Sequence, residues 1–180
     1  TIKPMVYIVR AYCFLGRNIR YRGMRQDVEA DTFAVRVTCA GVSMTTSFAQ
    51  GPRPQWMESK DLKVILFSDS PKEPPTIEPI SVTVVQSHSL ITYDMGKAIC
   101  VYTHMRRKDQ LKAWEPYKLD PQWITVYGGT YGKEAIGEIL IGFELLMFKH
   151  RDDIKLQARE MWPQPEASYD HTEHFACLKR

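Results

Sequence analysis

The sequence has no long hydrophobic run. Its most apolar stretch, residues 139–148, is interrupted by Glu144 and is far shorter than the about 20 residues that a membrane-spanning helix needs. Residues 1–15 also lack the features of a signal peptide, because Arg10 interrupts their apolar part and no small-residue cleavage site follows. We therefore predict neither a transmembrane helix nor a secretory leader within this sequence.

A strong charge of one sign is also missing. The 24 Lys and Arg residues are nearly balanced by 21 Asp and Glu residues, which leaves a net charge of +3. An excess this small gives no reason to expect a nucleic-acid partner. The four cysteines are scattered through the chain, mostly within apolar runs. This pattern is typical of buried, reduced thiols and predicts a protein of the cytosolic side of the membrane.

Signatures of catalysis are absent as well. The glycine-rich stretch 128–133 is one residue too short for a phosphate-binding loop, and Glu134 takes the place of the required Ser or Thr. No dinucleotide fingerprint, serine elbow or carboxylate pair is found. His171, His174 and Cys177 form only a loose set of potential zinc ligands, whereas structural zinc sites need four. We predict that the protein is not an enzyme.

The sequence does contain the periodicity of β-strands. Phe33, Val35, Val37 and Cys39 alternate with smaller and polar residues, as in a strand with one wet face, and Gly41 then predicts a tight hairpin. Similar runs, separated by Pro and Gly, predict an all-β fold, an eight-stranded antiparallel β-sandwich. The predicted strands lie at residues 6–14, 32–40, 42–48, 61–68, 80–86, 96–102, 123–127 and 137–148.

Two segments differ from this pattern. Residues 103–122 are long and polar and predict an inserted loop, whereas residues 152–161 predict a short C-terminal helix that Pro163 and Pro165 end. We therefore divide the chain into a sandwich domain at residues 1–150 and a helical extension and linker at residues 151–180.

The order of four motifs resembles a known family. Residues 53–56, Arg-Pro-Gln-Trp, are similar to the Asn-Pro-x-Trp motif of C2 domains, and residues 30–33 resemble the end of their first loop. Residues 137–146 resemble the last strand of a central ferlin C2 domain, and residues 94–97 resemble the end of the third loop. Over about residues 5–148, the chain thus resembles a C2 domain of the ferlin family, diverged from the animal proteins.

The resemblance implies a setting for the domain. Ferlins are tail-anchored proteins with several C2 domains, so it implies a role in vesicle docking, exocytosis, and membrane fusion or repair. It places the domain on the cytoplasmic face of a vesicle or the plasma membrane, as part of a larger parent. It also implies type II topology, in which loops 16–31, 49–60, 86–95 and 128–136 share one end of the sandwich.

Calcium is the cofactor that the family implies, and most of its ligands are missing here. Asp31 matches the second aspartate of the first loop, but Arg25 stands where the first is expected. In the third loop Gln86 and His88 replace two aspartates, and Asp94 alone matches the trailing one. Calcium needs 6–8 oxygen ligands, so we expect this domain to have no cofactor. Reorientation of Asp27 and Glu29 is the remaining route to calcium binding.

The same loops carry basic and apolar residues. Positive charge near an anionic leaflet and an inserted apolar tip together favour membrane binding. We predict that the domain binds an anionic membrane surface without calcium, and the candidate lipid-binding residues are Arg17, Arg20, Arg22, Met24, Arg25, Arg53, Leu90, Ile91 and Tyr93.

Other interpretations remain open from the sequence. The basic loop fits a solvated loop, and Leu90 and Ile91 also fit a tip folded over the sandwich. The protein is alternatively an interaction or scaffold module that packs against neighbouring domains or a protein partner through residues 103–122 and 152–162.

Overall fold

The structure, a computed structural model, describes residues 2–20, 31–68, 78–88, 90–100 and 118–147. These residues form nine β-strands. Their bounds are Lys3–Arg17 (β1), Thr32–Cys39 (β2), Val42–Thr45 (β3), Ala49–Gln50 (β4), Gln55–Ser68 (β5), Ile80–His88 (β6), Ile91–Cys100 (β7), Lys118–Gly128 (β8) and Glu134–Met147 (β9). The described ranges include no helix long and apolar enough to cross a membrane. The predicted helix at 152–161 lies outside them, and the predicted insertion ends earlier than expected, because β8 begins at Lys118.

The strands form two layers. Sheet I has the order β3-β2-β6-β7, with β4 beside the start of β2, and sheet II has the order β8-β9-β1-β5. All pairings are antiparallel. Because β1 lies inside sheet II and leads directly into the first loop, the arrangement is the type II topology that the resemblance implied. The prediction of an antiparallel β-sandwich is confirmed.

The prediction of eight strands is wrong by one. The strand predicted over 42–48 is divided into β3 and β4, with Thr46 between them. The Thr46 N–H donates to the Val35 carbonyl at 2.9 Å, and the Val35 N–H donates to Thr46 Oγ1 at 3.0 Å. The side chain of Thr46 thus replaces the backbone partner of Val35, and the ladder with β2 is interrupted there.

A narrow junction joins the two sheets into one nearly closed layer. β7 pairs with β8 at Gly96–Gly128 and Lys97–Tyr127. A Cβ at Gly96 would lie 2.5 Å from the Tyr127 carbonyl oxygen. Only glycine allows this close backbone approach, so the sandwich is closed at a point that a side chain would open.

The main core lies between the sheets, and the predicted alternation of β2 is confirmed. Phe33, Val35, Val37 and Cys39 are all buried in it. Cys13 and Cys100 are buried and unpaired by disulfides, as predicted, and burial raises the pKa of the Cys13 thiol to about 12 and that of Cys100 to about 11. Cys177 lies outside the described residues.

A β-bulge shapes the start of β5. The residues Trp56 and Met57 lie opposite the single residue Phe14, and Met57 has φ of 51°. The bulge lets Trp56 enter the main core, where its Nε1–H donates to the Phe33 carbonyl at 2.9 Å. Met57 instead packs with Tyr12 and Phe14 on the other side of sheet II.

The outer face of sheet II is buried along its central strands β1 and β9. Arg10 forms a two-bond ion pair with Asp61, with N–O distances of 2.6 and 3.0 Å. Beside it, the Tyr12 hydroxyl donates to the fully buried carboxylate of Glu144 at 3.3 Å. Desolvation, and then the negative charge of Glu144, raise the pKa of Tyr12 well above its ordinary value of 10.0. Polar groups therefore lie inside an apolar layer on this face.

Candidate functional site

The ends of β1, β6, β8 and the segment before β5 meet at one end of the sandwich, which we name the loop end. The Gly16 N–H donates to the Pro54 carbonyl at 2.9 Å, and the Arg20 N–H donates to the Ile136 carbonyl at 2.7 Å. Ile19 is buried in the main core and holds this segment down. The expected clustering of the loops is therefore observed, although β5 begins at Gln55 and β9 at Glu134, so two loops are shorter than predicted.

The prediction of a long third loop at 86–95 is wrong. The β6–β7 ladder continues through Gln86–Tyr93, Ser87–Thr92 and His88–Ile91. Backbone pairing with β7 thus extends β6 through polar residues whose side chains gave no strand signal. Only residues 89–90 separate the strands, and Gln86, His88, Tyr93 and Asp94 are strand residues.

Asp31, the best match to a family calcium ligand, is enclosed by hydrogen bonds. Gln86 donates its Nε2–H to Asp31 Oδ2 at 2.8 Å. His88 Nδ1 lies 2.6 Å from Asp31 Oδ1. Both carboxylate oxygens therefore have a side-chain partner, and the residue is only 7% exposed. The two partners stand at the positions where the family pattern has aspartates.

Asp94, the other retained position, has a cationic partner. Its Oδ2 lies 2.5 Å from Nη2 of Arg36 on β2. Within the part of the chain that the structure describes, no group of three or more His, Cys, Asp or Glu side chains is placed to hold a metal ion. Asp27 and Glu29 lie outside that part.

Among the predicted lipid-binding residues that the structure describes, Arg17 is the most tightly oriented. Its Nε and Nη2 donate to Glu138 at 2.8 and 3.4 Å, and its guanidinium carbon lies 4.0 Å from the ring centroid of Trp123. Asn18 donates to the same carboxylate at 3.1 Å. These hydrogen bonds, with that from Arg17 first, lower the pKa of Glu138 below its ordinary 4.5.

The other described cations of the set are less constrained. Arg20 and Arg53 are exposed at the loop end, and neither forms an ion pair with a described residue. Arg20 lines a cavity of about 590 Å³ beside Lys97, at the junction of the sheets. Arg22, Met24 and Arg25 lie outside the described residues.

The predicted apolar tip is formed by the β6–β7 turn. Leu90 is fully exposed and Ile91 is 55% exposed, so neither side chain folds over the sandwich. Tyr93 is different, because it is half-buried and packs against the main core. The tip therefore consists of Leu90 and Ile91.

Two residues that the sequence did not single out belong to this end. Tyr131 is 86% exposed in the β8–β9 turn, and its signal was an aromatic residue within a glycine-rich hairpin. Trp123 carries the stacked Arg17, yet 106 positions separate them in the chain and no local pattern joins them.

The comparisons agree on the fold. No family model matches the chain. A C2 domain of a plant extended synaptotagmin 1 superposes with a TM-score of 0.53 at 15% identity, covering 79% of this chain and 96% of that one. A two-domain C2 fragment of extended synaptotagmin 2 gives a TM-score of 0.52 at 9% identity, covering 86% of this chain and 46% of that one. The sandwich is that of a C2 domain.

Sequence similarity adds a closer relationship. The chain is 31% identical over 159 residues to Ferlin 2 of Toxoplasma gondii, which covers 87% of this chain and 11% of that protein. The chain is therefore a ferlin-like C2 domain, and it spans about a tenth of the length of that relative.

Proposed function

We propose that this domain is a peripheral membrane-targeting module of a larger ferlin-type protein, and that it binds anionic phospholipid without calcium. The observation that carries the proposal is the enclosure of Asp31 by Gln86 and His88 below an exposed basic and apolar loop end. The parent would act in vesicle docking, exocytosis, and membrane fusion or repair, anchored by its tail with this domain on the cytoplasmic face.

Calcium independence is supported by the partners of the retained carboxylates. Calcium prefers several carboxylate oxygens around one ion. To bind at Asp31, it would displace the hydrogen bonds from both Gln86 and His88. At Asp94 it would compete with the charge of Arg36. The side chains that replace the missing aspartates supply the contacts that an ion would otherwise make.

Membrane binding is supported by the arrangement of charge and apolar surface. Arg17, Arg20 and Arg53 surround the loop end, and each cation near an anionic leaflet contributes about 1 kcal/mol. Leu90 adds an apolar side chain whose full burial contributes about 1.5–3 kcal/mol. Tyr131 adds an amphipathic ring of the kind that favours the membrane–water interface. Together with Arg22, Met24 and Arg25, these residues form the proposed lipid-binding surface.

Sedimentation with liposomes tests the proposal. We expect binding to phosphatidylserine-containing vesicles that persists in chelator and weakens as salt is raised. Arg20→Glu should weaken it, whereas Lys63→Glu on β5, which changes the charge equally, should not. Leu90→Ser should also weaken binding, with Ile65→Ser as its control.

Two outcomes contradict parts of the proposal. Binding that requires calcium would show that the ligand set is completed by other carboxylates, such as Asp27 and Glu29. Absence of binding under every condition would favour the second candidate function.

That second candidate is an interaction or scaffold domain. Ile65 and Phe67 on the edge strand β5 are 59% and 54% exposed, far from the loop end. An exposed apolar edge of this kind is suited to a neighbouring domain or a protein partner. In that case Ile65→Ser, rather than Leu90→Ser, should abolish co-purification with an adjacent fragment of the parent.

A further inference from the structure

A pocket of about 330 Å³ opens on the side of the loop end, between β1, the segment before β5, and β8. We name it the Arg17 pocket, and its lining includes Leu15, Arg17, Arg53, Gln55 and Trp123. We propose that the Arg17 pocket binds a phosphate monoester, either on a lipid headgroup or on a free sugar phosphate. The lipid form of the ligand rests on the proposed function, whereas the free form does not.

The guanidinium of Arg17 is oriented in advance of any ligand. Glu138 accepts from its Nε and one Nη2 hydrogen, and Trp123 covers its flat face. The remaining N–H groups, on Nη1 and the far side of Nη2, have no acceptor among the described residues. This Nη1–Nη2 edge of the guanidinium has the spacing to donate two parallel hydrogen bonds to one phosphate.

The surroundings of the pocket select the charge and shape of the ligand. Because Glu138 offsets the charge of Arg17, the unbalanced cation of the pocket is Arg53, which also lines the pocket and is exposed. A phosphate monoester has three terminal oxygens and can accept from both arginines, whereas the phosphodiester of ordinary lipids has only two, so the pair of guanidinium groups favours the monoester. Leu15 and Trp123 supply an apolar wall, and the carbon face of a sugar ring can pack on such a wall.

The test uses the full chain with three probes. These are vesicles of phosphatidylserine, vesicles of equal charge in which phosphatidylinositol 4,5-bisphosphate replaces part of it, and soluble inositol 1,4,5-trisphosphate measured by calorimetry. We expect tighter binding to the phosphoinositide vesicles and measurable binding of the soluble probe. Arg17→Lys keeps the positive charge but removes the planar pair of N–H donors. It should therefore weaken binding to the phosphoinositide vesicles and to the soluble probe about tenfold, and binding to phosphatidylserine vesicles much less.

The matched control is Arg36→Lys on the outer face of sheet I, which lies outside the pocket and should change none of the three measurements. Arg53→Gln should weaken binding to the phosphoinositide vesicles and to the soluble probe more than binding to the phosphatidylserine vesicles. Equal binding of wild type to the two vesicle types, together with no binding of the soluble probe, would overturn this inference while leaving the proposed function intact. An Arg17→Lys variant that keeps the preference would also overturn it.

The two proposals can fail separately. If wild type binds neither vesicle type, the proposed function fails, and the soluble probe alone decides the inference. Binding of inositol trisphosphate that Arg17→Lys weakens would then support a site for a free phosphate ester. Its absence would reject the pocket as a phosphate site.

Discussion

The outer faces of the two sheets differ sharply. On sheet I, Arg36, Lys97 and Ile99 point outward and are partly or largely exposed, as expected for an antiparallel sheet with one wet face. On the central strands β1 and β9 of sheet II, the outward residues are buried, namely Ile8, Arg10, Tyr12, Phe14, Leu140, Glu144 and Leu146, whereas the outward residues of the edge strand β5 are exposed. The centre of sheet II is therefore an interior layer, and β9 is buried on both sides over residues 139–146.

The difference explains a feature of the sequence. An almost continuous apolar run is typical of a strand that is covered on both faces, whereas β2 alternates because only one of its faces is covered. It also shows that a face can be buried and still carry charge, because Arg10 is paired with Asp61 and Glu144 accepts from Tyr12.

The largest effect that tests this comparison is a truncation on each outer face. Leu140→Ala on sheet II should lower the free energy of unfolding by about 2–5 kcal/mol, because it leaves a cavity in a packed layer. Ile99→Ala on sheet I, where the side chain is 55% exposed, should change it by less than about 0.5 kcal/mol. Denaturant unfolding measures both, and equal small effects would show that sheet II has no packed outer layer.

A smaller effect is expected from the two ion pairs. Asp61→Asn leaves Arg10, whose side chain is only 8% exposed, without its carboxylate, and should cost about 2 kcal/mol of unfolding free energy. Asp94→Asn breaks the more exposed pair with Arg36 and should cost at most about 1 kcal/mol. Thermal unfolding of both variants at equal salt is the measurement. A larger loss of unfolding free energy from Asp94→Asn than from Asp61→Asn would contradict the burial of the Arg10 ion pair.

The smallest effect at neutral pH concerns Tyr12. The pKa of Tyr12 is raised in the folded protein. Its contribution to the free energy of unfolding is therefore fully present below the ordinary pKa of 10.0 and is lost as pH rises through the pKa of the folded state. Tyr12→Phe should cost about 0.5–1.5 kcal/mol at neutral pH and should flatten the loss of stability above pH 10. Unfolding curves at stepped alkaline pH measure this, and an unchanged slope in the variant would contradict it.

Local patterns were sufficient for much of the fold. The alternation of Phe33, Val35, Val37 and Cys39 predicted the core face of β2, and Gly41 predicted the hairpin that follows. Gly41 has φ of 77° and Ala40 has φ of 48°, which is the left-handed backbone of a two-residue hairpin loop. These features depend on neighbouring residues only.

Long-range contacts were not predictable in the same way. Gln86 and His88 stand at positions where the family has calcium ligands, but no sequence pattern indicates that both side chains bond to Asp31. In the sequence Glu144 only interrupts an apolar run, because its partner Tyr12 is 132 residues away. The Arg17–Trp123 stack depends on the pairing of β1, β9 and β8, and no local pattern records that pairing.

The pairing of β1 with β9 has a mechanical consequence. The start of β1 and the end of β9 are adjacent, since Tyr7 pairs with Met147, and both lie opposite the loop end. Tension applied between these two strand ends would act along the hydrogen bonds, which are perpendicular to antiparallel strands. The bonds would then be loaded one pair at a time and unzip at low force. Tension between the loop end and either strand end runs along the strands and loads many hydrogen bonds together. The domain should therefore unfold at low force when it is pulled by these two strand ends, and at higher force when it is pulled between a surface bound at the loop end and one strand end.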